Sequence, residues 1–192
     1  MKIAILGAGD LGRTLLAQYR DAGRSAGTVV GFFDDALDQG AEGVPVFGGL
    51  EGVHEAKAAG RFDRLLMGIG YKHLRFRQRL FEELSAAGLE FDTFIHPTCS
   101  VASSAVVEAG SVLFAGCTVD VGVHIGPNCL LNVGCTVAHD ARIEGHSIMG
   151  PSVSLAGFVR VEARAFLGVG TVVIDGLRVG EGAQTGGGAV VV

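Results

Sequence analysis

His139 and Asp140 are the pair of residues in this sequence that is best suited to acid–base chemistry. An imidazole can take a proton from a reacting group, and a carboxylate beside it can steady the resulting charge. Eighteen residues later the chain has Gly157. A glycine stacked above the histidine would leave space and an accessible backbone N–H, which suits an oxyanion. The alternative is a surface histidine without a chemical role.

A six-residue repeat in the second half of the chain positions these residues. Aliphatic side chains recur at every sixth position from Ile95 to Val191, with Thr185 as the one exception. A helix repeats near 3.6 residues and a strand near 2, so this period predicts a solenoid, namely a parallel β-helix. Three hexads close one coil of eighteen residues, and residues eighteen apart then stack at about 4.8 Å. His139 therefore lies on a corner, with Gly157 directly above it.

All four cysteines lie on a second ladder of mostly small residues. They are Cys99, Cys117, Cys129 and Cys135. Three of them share one column, so we interpret all four as small buried side chains rather than as disulfide or zinc partners. His146 lies seven residues after His139, and His124 lies on another corner, so the histidines do not complete a zinc set on one face. The sequence therefore predicts no metal site.

A column of basic residues runs along the predicted solenoid. His124, Arg142, Arg160 and Arg178 are each eighteen residues apart. Stacked like charges at this spacing repel one another unless acids or an anion intervene. In one interpretation Glu144 and Glu162, each two residues after an arginine, neutralise the column. In the other, the arginines form a track for a polyanionic ligand such as coenzyme A.

The start of the chain follows the dinucleotide-binding pattern of strand, glycine turn, helix, strand and acid. An apolar strand leads into Gly7-Ala8-Gly9-Asp10-Leu11-Gly12, and a second strand ends in Asp34-Asp35. The glycines let the backbone approach a phosphate, and the helix N-terminus supplies partial positive charge. Asp34 or Asp35 lies where a ribose hydroxyl would be gripped. A nucleotide-linked substrate fits this pattern, and a tight turn without a ligand is the alternative.

The N-terminal pattern fits a small α/β domain. We predict strands at 2–6, 28–33, 64–70 and 90–95, and helices starting near 11, 50 and 74, which implies a parallel sheet with helices on its faces. NAD normally needs roughly six strands, so we expect no NAD. A run of basic residues lies at the start of the last predicted helix, namely Lys72, Arg75, Arg77 and Arg79. It is either a solvated face or a source of phosphate contacts, which Lys72 or Arg75 would make.

Composition narrows the partners and the location. The chain has 192 residues, of which 31 are glycine and none is tryptophan, as tight corners around a narrow core require. The net charge of −5 argues against a nucleic-acid partner. No apolar stretch is long enough for a bilayer and the start lacks a signal-peptide core, so we expect a cytoplasmic protein without membrane contact. The predicted domains are residues 1–93 and 94–192.

The two halves together resemble the sugar acyltransferase family of hexapeptide-repeat acetyltransferases, which includes the NeuD, PglD and PerB types. The resemblance covers nearly the whole chain. It rests on Gly7-Ala8-Gly9, Gly31-Phe32-Phe33-Asp34-Asp35, Gly43-Val44-Pro45-Val46-Phe47-Gly48 and His139-Asp140. It implies a Rossmann-like nucleotide-binding domain followed by an all-β left-handed parallel β-helix. It also implies acetyl-CoA as co-substrate, a nucleotide sugar as substrate and a homotrimer as the assembly.

The resemblance also implies roles for residues. His139 would be the general base, Asp140 would orient it, and the N–H of Gly157 would contact the acetyl carbonyl. We place coenzyme A on Gly157 and on Arg142, Arg160 and Arg178. We place the nucleotide sugar on Gly7, Gly9, Asp10, Leu11, Gly12, Asp34, Asp35, Gly70 and Asn132. Many members have Gly-His at Asp10-Leu11 and often a second histidine at Ile148, and they usually carry a tail beyond Val192.

The sequence therefore leads to a first hypothesis of an N-acetyltransferase that moves acetyl from acetyl-CoA to the amine of a nucleotide-linked amino sugar. A second hypothesis keeps the donor and makes the acceptor a hydroxyl, on sialic acid or another sugar. No residue singled out in the sequence separates the two. A third hypothesis is a non-catalytic scaffold that retains a nucleotide fold.

Overall fold

The chain folds into two compact units, Met1–Asp92 and Thr93–Val192. This is a computed structural model that describes residues 1–23 and 27–192. The division lies one residue before the boundary expected from the sequence.

The N-terminal unit is a small α/β structure with a parallel sheet. Its strands are β1 (Lys2–Leu6), β2 (Thr28–Phe33) and β3 (Arg64–Met67), and their order in the sheet is β2-β1-β3. Its helices are α1 (Asp10–Asp21), α2 (Val53–Ala58) and α3 (Leu74–Ala86), and short 3₁₀ turns at Leu50–Gly52 and Tyr71–His73 precede the last two. The first strand lies in the centre of the sheet, so the turn that follows it is next to the ends of both neighbouring strands.

The predicted fourth strand at residues 90–95 is wrong as a continuous element. Phe91 makes only an isolated bridge to Leu65, through the Leu65 N–H to Glu90 O and the Asp92 N–H to Leu65 O. Phe94 and Ile95 pair instead inside the second unit. The apolar run crosses from one unit to the other, and hydropathy alone does not reveal that crossing. The sheet of the first unit therefore has three strands, and its Rossmann-like character stays a prediction.

Arg77 corrects the interpretation of the basic run as one solvated face. Its side chain is fully buried, and its Nη1 donates to the backbone oxygens of Met67 and Ile69 at 3.0 and 2.8 Å. These carbonyls lie at the end of β3 and in the loop after it, where a parallel strand has no partner for them. Arg77 thus fixes the loop that leads to Gly70. Lys72, Arg75 and Arg79 are exposed, as expected.

The C-terminal unit is a parallel β-solenoid with strands of two residues each. The strands are β4 (Phe94–Ile95), β5 (Ser100–Val101), β6 (Val106–Val107), β7 (Val112–Leu113), β8 (Thr118–Val119), β9 (His124–Ile125), β10 (Leu130–Leu131), β11 (Thr136–Val137), β12 (Arg142–Ile143), β13 (Ile148–Met149), β14 (Ser154–Leu155), β15 (Arg160–Val161), β16 (Phe166–Leu167), β17 (Val172–Val173), β18 (Arg178–Val179) and β19 (Val190–Val191). They form three parallel sheets with orders β16-β13-β10-β7-β4, β19-β17-β14-β11-β8-β5 and β18-β15-β12-β9-β6. Partners such as Thr136 and Ser154 are eighteen residues apart. The prediction of a six-residue solenoid with eighteen-residue coils is therefore confirmed, and its left hand stays a prediction.

The solenoid core contains the aliphatic ladder and most of the small-residue ladder. Cys117, Cys129 and Cys135 are buried and form no disulfide, and each thiol donates to a backbone oxygen. The interpretation of the cysteines as packing residues is confirmed for these three, and Cys99 is half-buried. Thr185, the lapse in the ladder, satisfies its hydroxyl in the last coil with the Gly168 N–H and the Thr171 hydroxyl.

Each corner of the solenoid has two residues at its turn, which we call the first and the second corner residue, and their backbones form different hydrogen bonds. From Gly110 to Gly188 every sixth residue, the second of its corner, has positive φ. From Asn128 onward its N–H bonds to a backbone oxygen of the corner one coil below, and the N–H groups of Gly116 and Gly122 bond to the hydroxyls of Thr98 and Ser104. The N–H of the first corner residue forms none of these backbone bonds, and Pro97, Pro127 and Pro151 occupy such positions. In Glu181 this N–H bonds instead to a side-chain oxygen of Glu162 in the coil below. A first corner residue that is not proline therefore has an N–H available for a side chain or a ligand.

Across residues 1–23 and 27–192, no helix combines the length and the apolar character that crossing a bilayer requires. Within the same residues, no group of three or more His, Cys, Asp or Glu side chains is arranged to hold a metal ion.

Candidate active site

The candidate active site lies on one corner column of the solenoid, between the sheet that contains β11 and the sheet that contains β12. We use the term corner column for the first corner residues that stack there, namely Val121, His139, Gly157 and Asp175. A Cβ atom placed on Gly157 would lie 2.7 Å from both Cε1 and Nε2 of His139. It would also lie 2.9 Å from Asp175 Oδ1. The imidazole therefore covers the face of Gly157 that a side chain would fill, as the eighteen-residue count predicts.

Asp140 orients the imidazole. The Nδ1–H of His139 donates to Asp140 Oδ2 at 3.1 Å, and this leaves the Nε2 lone pair directed away from the carboxylate. The Asp140 carboxylate in turn needs the missing side chain of Gly122, since a Cβ there would lie 2.5 Å from Asp140 Oδ1. Both side chains of the pair are about half exposed, at 45% for His139 and 51% for Asp140, so a ligand can reach them.

Phe158 packs its ring edge-to-face with the imidazole, with ring centroids 5.1 Å apart and an interplanar angle of 89°. It is a second corner residue with φ of 58°, a conformation that is unfavourable for a bulky side chain, and the residue is 54% exposed. A strained, exposed aromatic residue against a candidate base points to a positioning role.

Gly157 supplies the one backbone donor that the corner leaves open beside the imidazole. Among the described residues its N–H makes no hydrogen bond, whereas the Val121 N–H of the same column is capped by Asp120 Oδ1 at 2.7 Å. The residue before Gly157 is Ala156, which has no capping group. A base with a directed lone pair and an open N–H next to it can carry out acyl transfer, in which a proton is taken and an oxyanion is stabilised.

The other residues predicted around the base lie elsewhere. Asn132 is at the far end of β11, where its Oδ1 accepts the Val133 N–H at 2.8 Å. Ile148, at the position of the frequent second histidine, is buried in β13 and leaves no imidazole on that strand.

In the described part of the chain, two of the four residues in the basic column are paired with acids, and the other two are not. His124 pairs with Glu108 at 2.7 Å, and the Nε of Arg178 donates to Glu162 Oε1 at 2.6 Å. The predicted neutralisation by Glu162 therefore falls on Arg178 of the next coil rather than on Arg160. Arg142 and Arg160 are exposed and form no ion pair among the described residues. These two guanidinium groups, three residues after His139 and Gly157, are the ones available to an anion.

In the N-terminal unit the glycine turn shows three different uses of glycine. Gly7 has φ of 95°, and a Cβ on Gly12 would lie 2.0 Å from Gly7 O, so the fold itself requires both. A Cβ on Gly9 or Gly70 would meet no atom within 4 Å. Their bare backbone is thus free for the close approach of a ligand, as in a phosphate-binding turn.

A pocket of about 280 Å³ lies beside this turn. It is lined by Gly7, Phe33, Asp34, Asp35, Ala36, Leu50, Ile69, His73 and Phe76. It includes both predicted acids and Gly7, while Gly9, Asp10, Leu11, Gly12 and Gly70 do not line it. The basic side chains predicted for phosphate contact, Lys72 and Arg75, do not line it either, and their neighbours His73 and Phe76 do.

The two acids of the pocket have different tasks. Asp34 Oδ2 accepts the Ala8 N–H at 2.8 Å, and its Oδ1 accepts the N–H groups of Ala36 and Leu37. Burial on its own raises the pKa of Asp34, but these three donors outweigh it and hold the pKa below its usual value. Asp35 uses only Oδ1, for the Leu50 N–H at 2.7 Å. Asp35 therefore has the freer carboxylate for a ribose hydroxyl.

We expect Asp34→Asn to lower the free energy of unfolding by about 1–2 kcal/mol at pH 7, because a carboxamide cannot accept from all three donors. The folded pKa of Asp34 is depressed, so its stabilisation is present above the usual carboxyl pKa of about 4 and is lost as pH falls below it. Thermal unfolding of both proteins from pH 7 to pH 3 should show the difference shrinking with acid. Asp35→Asn, which can keep its single acceptor, is the control, and a difference independent of pH would contradict the assignment.

No protein-family model matches the chain, and no curated protein does either. Among solved structures, PerB from Caulobacter crescentus, in complex with CoA and GDP-perosamine, is 33% identical with a TM-score of 0.91, covering 100% of this chain and 89% of PerB. The chain belongs to the PerB-type sugar acyltransferase family. As a member, it is an acetyl-CoA-dependent sugar acetyltransferase.

Two further solved structures are similar to this chain. The acetyltransferase domain of PglB from Neisseria gonorrhoeae is 29% identical with a TM-score of 0.90, and 100% of this chain aligns with 91% of it. WeeI from Acinetobacter baumannii is 20% identical with a TM-score of 0.78, covering 100% of this chain and 92% of WeeI, and it supports the fold alone. The family resemblance drawn from the sequence is therefore confirmed.

Sequence reasoning about this PerB-type enzyme missed three residues of the site. Asp175 is eighteen residues after Gly157, so the same count that found Gly157 would have found it one coil further. Gly122 and Phe158 are second corner residues, one coil below Asp140 and one coil above it. Their contacts with the His139–Asp140 pair depend on side-chain directions at the corner, which the period of six does not encode.

Proposed function

We propose that this enzyme transfers acetyl from acetyl-CoA to the amine of a nucleotide-linked amino sugar, with His139 as general base. The observation that carries the proposal is the corner where the His139 imidazole, oriented by Asp140, lies over the bare Gly157 with its open N–H. His139 Nε2 takes the proton of the attacking amine, and Asp140 stabilises the imidazolium. The Gly157 N–H donates to the oxyanion of the tetrahedral intermediate.

The comparisons support these roles. A GDP-perosamine N-acetyltransferase that is 32% identical to this chain was solved with one histidine replaced by alanine, in complex with CoA and GDP-perosamine. The same perosamine N-acetyltransferase was also solved with that histidine replaced by asparagine. A histidine was thus the residue changed in structures that hold both ligands.

For the donor, we propose that Arg142 and Arg160 contact phosphates of coenzyme A. Both guanidinium groups are exposed and free of ion pairs among the described residues, and they flank the corner column. Arg178 is paired with Glu162 and would have to give up that ion pair to contact coenzyme A.

For the acceptor, we propose that the pocket of the N-terminal unit holds the nucleotide, with its phosphates near the open backbone of Gly9 and Gly70 and its ribose near Asp35. We also propose that Asn132 contacts the sugar, as the family resemblance implies, through Nδ2, because its Oδ1 already accepts the Val133 N–H. We also propose the homotrimer that the resemblance implies. Exposed apolar side chains on the solenoid, such as Val121, Val172 and Ile174, supply a surface for such packing.

The test is thiol release from acetyl-CoA across UDP-, GDP- and dTDP-linked amino sugars, with GDP-perosamine included and free sialic acid as a hydroxyl acceptor. We expect release with at least one amino-sugar nucleotide and an N-acetylated product by mass spectrometry. Release with sialic acid alone would replace the proposal by O-acetylation, and no release with any acceptor would overturn it.

Phe158→Gly should separate stability from activity. Glycine removes the cost of positive φ, about 1 kcal/mol, so the melting temperature should rise. Loss of the ring leaves the imidazole less well held, and kcat should fall by about tenfold, since a misplacement of about 1 Å can cost about 10²-fold. Ser152→Gly, another second corner residue with positive φ, is the control that should gain stability and keep kcat. Equal kcat in both variants would refute the positioning role of Phe158.

A further inference from the structure

Asp175 is the polar member of the corner column to which the proposed mechanism assigns no role. Its Oδ1 lies 2.9 Å from the point where a Cβ of Gly157 would be, and His139 Nε2 lies 2.7 Å from the same point. Nevertheless the two side chains form no ion pair or hydrogen bond with each other in the described residues. The two side chains therefore flank the same face of Gly157 without bonding to each other, and a ligand atom in front of the Gly157 backbone can bridge them through two hydrogen bonds of about 2.9 Å each.

The carboxylate of Asp175 has no structural use that would explain its position. The residue is exposed, and among residues 1–23 and 27–192 it makes no hydrogen bond or ion pair. Two other acids on the solenoid surface are engaged, since Asp120 caps the Val121 N–H and Glu162 pairs with Arg178. The Glu144 carboxylate is unpaired among the described residues as well, but it does not lie in the corner column. Asp175 is thus an unengaged anion beside the candidate base.

We propose that Asp175 binds the nitrogen of the acceptor and makes this enzyme selective for an amine over a hydroxyl. The inference rests on the proposed function and names the acceptor class of that site. A neutral amine has two N–H donors, one for His139 Nε2 and one for Asp175 Oδ1, and its lone pair remains for attack. A hydroxyl has a single hydrogen, which His139 takes, so no donor remains for the carboxylate. An amine therefore gives both His139 and Asp175 a hydrogen bond from the acceptor, whereas a hydroxyl gives one to His139 alone.

The reaction balances with these groups alone. The amine lone pair forms the N–C bond to the thioester carbonyl carbon, and the carbonyl π pair moves to oxygen, which accepts from the Gly157 N–H. His139 Nε2 takes one amine proton, and Asp175 holds the second N–H, which stays on the product amide. The C–S bond then breaks as the carbonyl re-forms, and the leaving sulfur takes the proton from His139. The products are the N-acetylated sugar and the free thiol of coenzyme A.

The test compares wild type, Asp175→Asn and Asp175→Ala with GDP-perosamine, or with the fastest amino-sugar nucleotide of the panel if that differs. The matched probe is the same nucleotide sugar with a hydroxyl in place of the amine, used as a competitive inhibitor. We expect kcat/KM for the amine to fall by about tenfold in Asp175→Asn and further in Asp175→Ala, since a charge-assisted hydrogen bond is lost. The inhibition constant of the hydroxyl analogue should change less than twofold.

Asp120→Asn is the control, because it removes one negative charge from the solenoid surface and keeps an oxygen for the Val121 N–H. Its kinetics should match wild type, and the melting temperature of the Asp175 variants should match as well. Unchanged kcat/KM for the amine in both Asp175 variants would overturn the inference and leave the proposed function in place. So would an equal loss of affinity for the amine and for its hydroxyl analogue. A wild type that is inert on every amino sugar would instead refute the proposed function.

Discussion

Replacing His139 by alanine should lower kcat for amine acetylation by about 10²–10⁴-fold, the usual contribution of a general base. The His139 imidazole is the group at this corner that can take a proton from the sugar amine. Its hydrogen bond from Nδ1–H to Asp140 fixes the tautomer, which leaves Nε2 as the base. The side chain is 45% exposed, so its removal opens no cavity in the core. The measurement is steady-state thiol release with the best amino-sugar nucleotide, beside thermal unfolding.

His54→Ala is the matched control, since His54 is an exposed residue of α2. Its kcat and its melting temperature should equal those of wild type. His139→Ala should likewise unfold within a degree or two of wild type, so that a loss of kcat reports on chemistry. A variant that keeps more than a third of the wild-type kcat would contradict the assignment of His139 as the base.

Adding one methyl group at Gly157 should lower kcat by about 10²-fold, because the imidazole must leave the position where it now lies. The new Cβ would be 2.7 Å from Cε1 and Nε2 of His139 and 2.9 Å from Asp175 Oδ1. These distances are shorter than the van der Waals contact of a Cβ atom, so the two side chains must move. Both side chains are at the surface and can rotate away, so the clash costs little stability. The φ of Gly157 is not in the left-handed region, and alanine should leave the melting temperature unchanged or slightly raised.

The comparison for Gly157→Ala is Gly180→Ala. A Cβ on Gly180 would meet nothing within 4 Å, and its φ is also outside the left-handed region. This variant should keep both kcat and stability. Gly157→Ala with full activity would show that the imidazole does not work from its position over Gly157, and an unfolded Gly157→Ala would show that the glycine is structural.

Much of the solenoid and part of the site could be predicted from the order of the residues. A repeat of six forces each aliphatic side chain to the same side of the backbone, so the positions of Val137, His139 and Gly157 relative to one another follow from counting. The same reasoning placed the cysteines in the core and the acids Asp34 and Asp35 at the end of β2. It erred at residues 90–95 and at Arg77, because an apolar run and a charge run look alike whether they are buried or not.

The sequence by itself therefore determined the solenoid, the glycine turn and the stacking of Gly157 on His139, since each follows from spacing along a regular backbone. Only the tertiary structure decided how side chains of different coils share the space at one corner. It placed Asp175 and His139 Nε2 at the same face of Gly157 and packed Phe158 against the imidazole. It also paired Glu162 with Arg178 and filled both carboxylate oxygens of Asp34 with hydrogen bonds. These contacts depend on the direction of each side chain and on which hydrogen-bond partners are already taken. Both are settled by neighbours in space that the chain order does not specify.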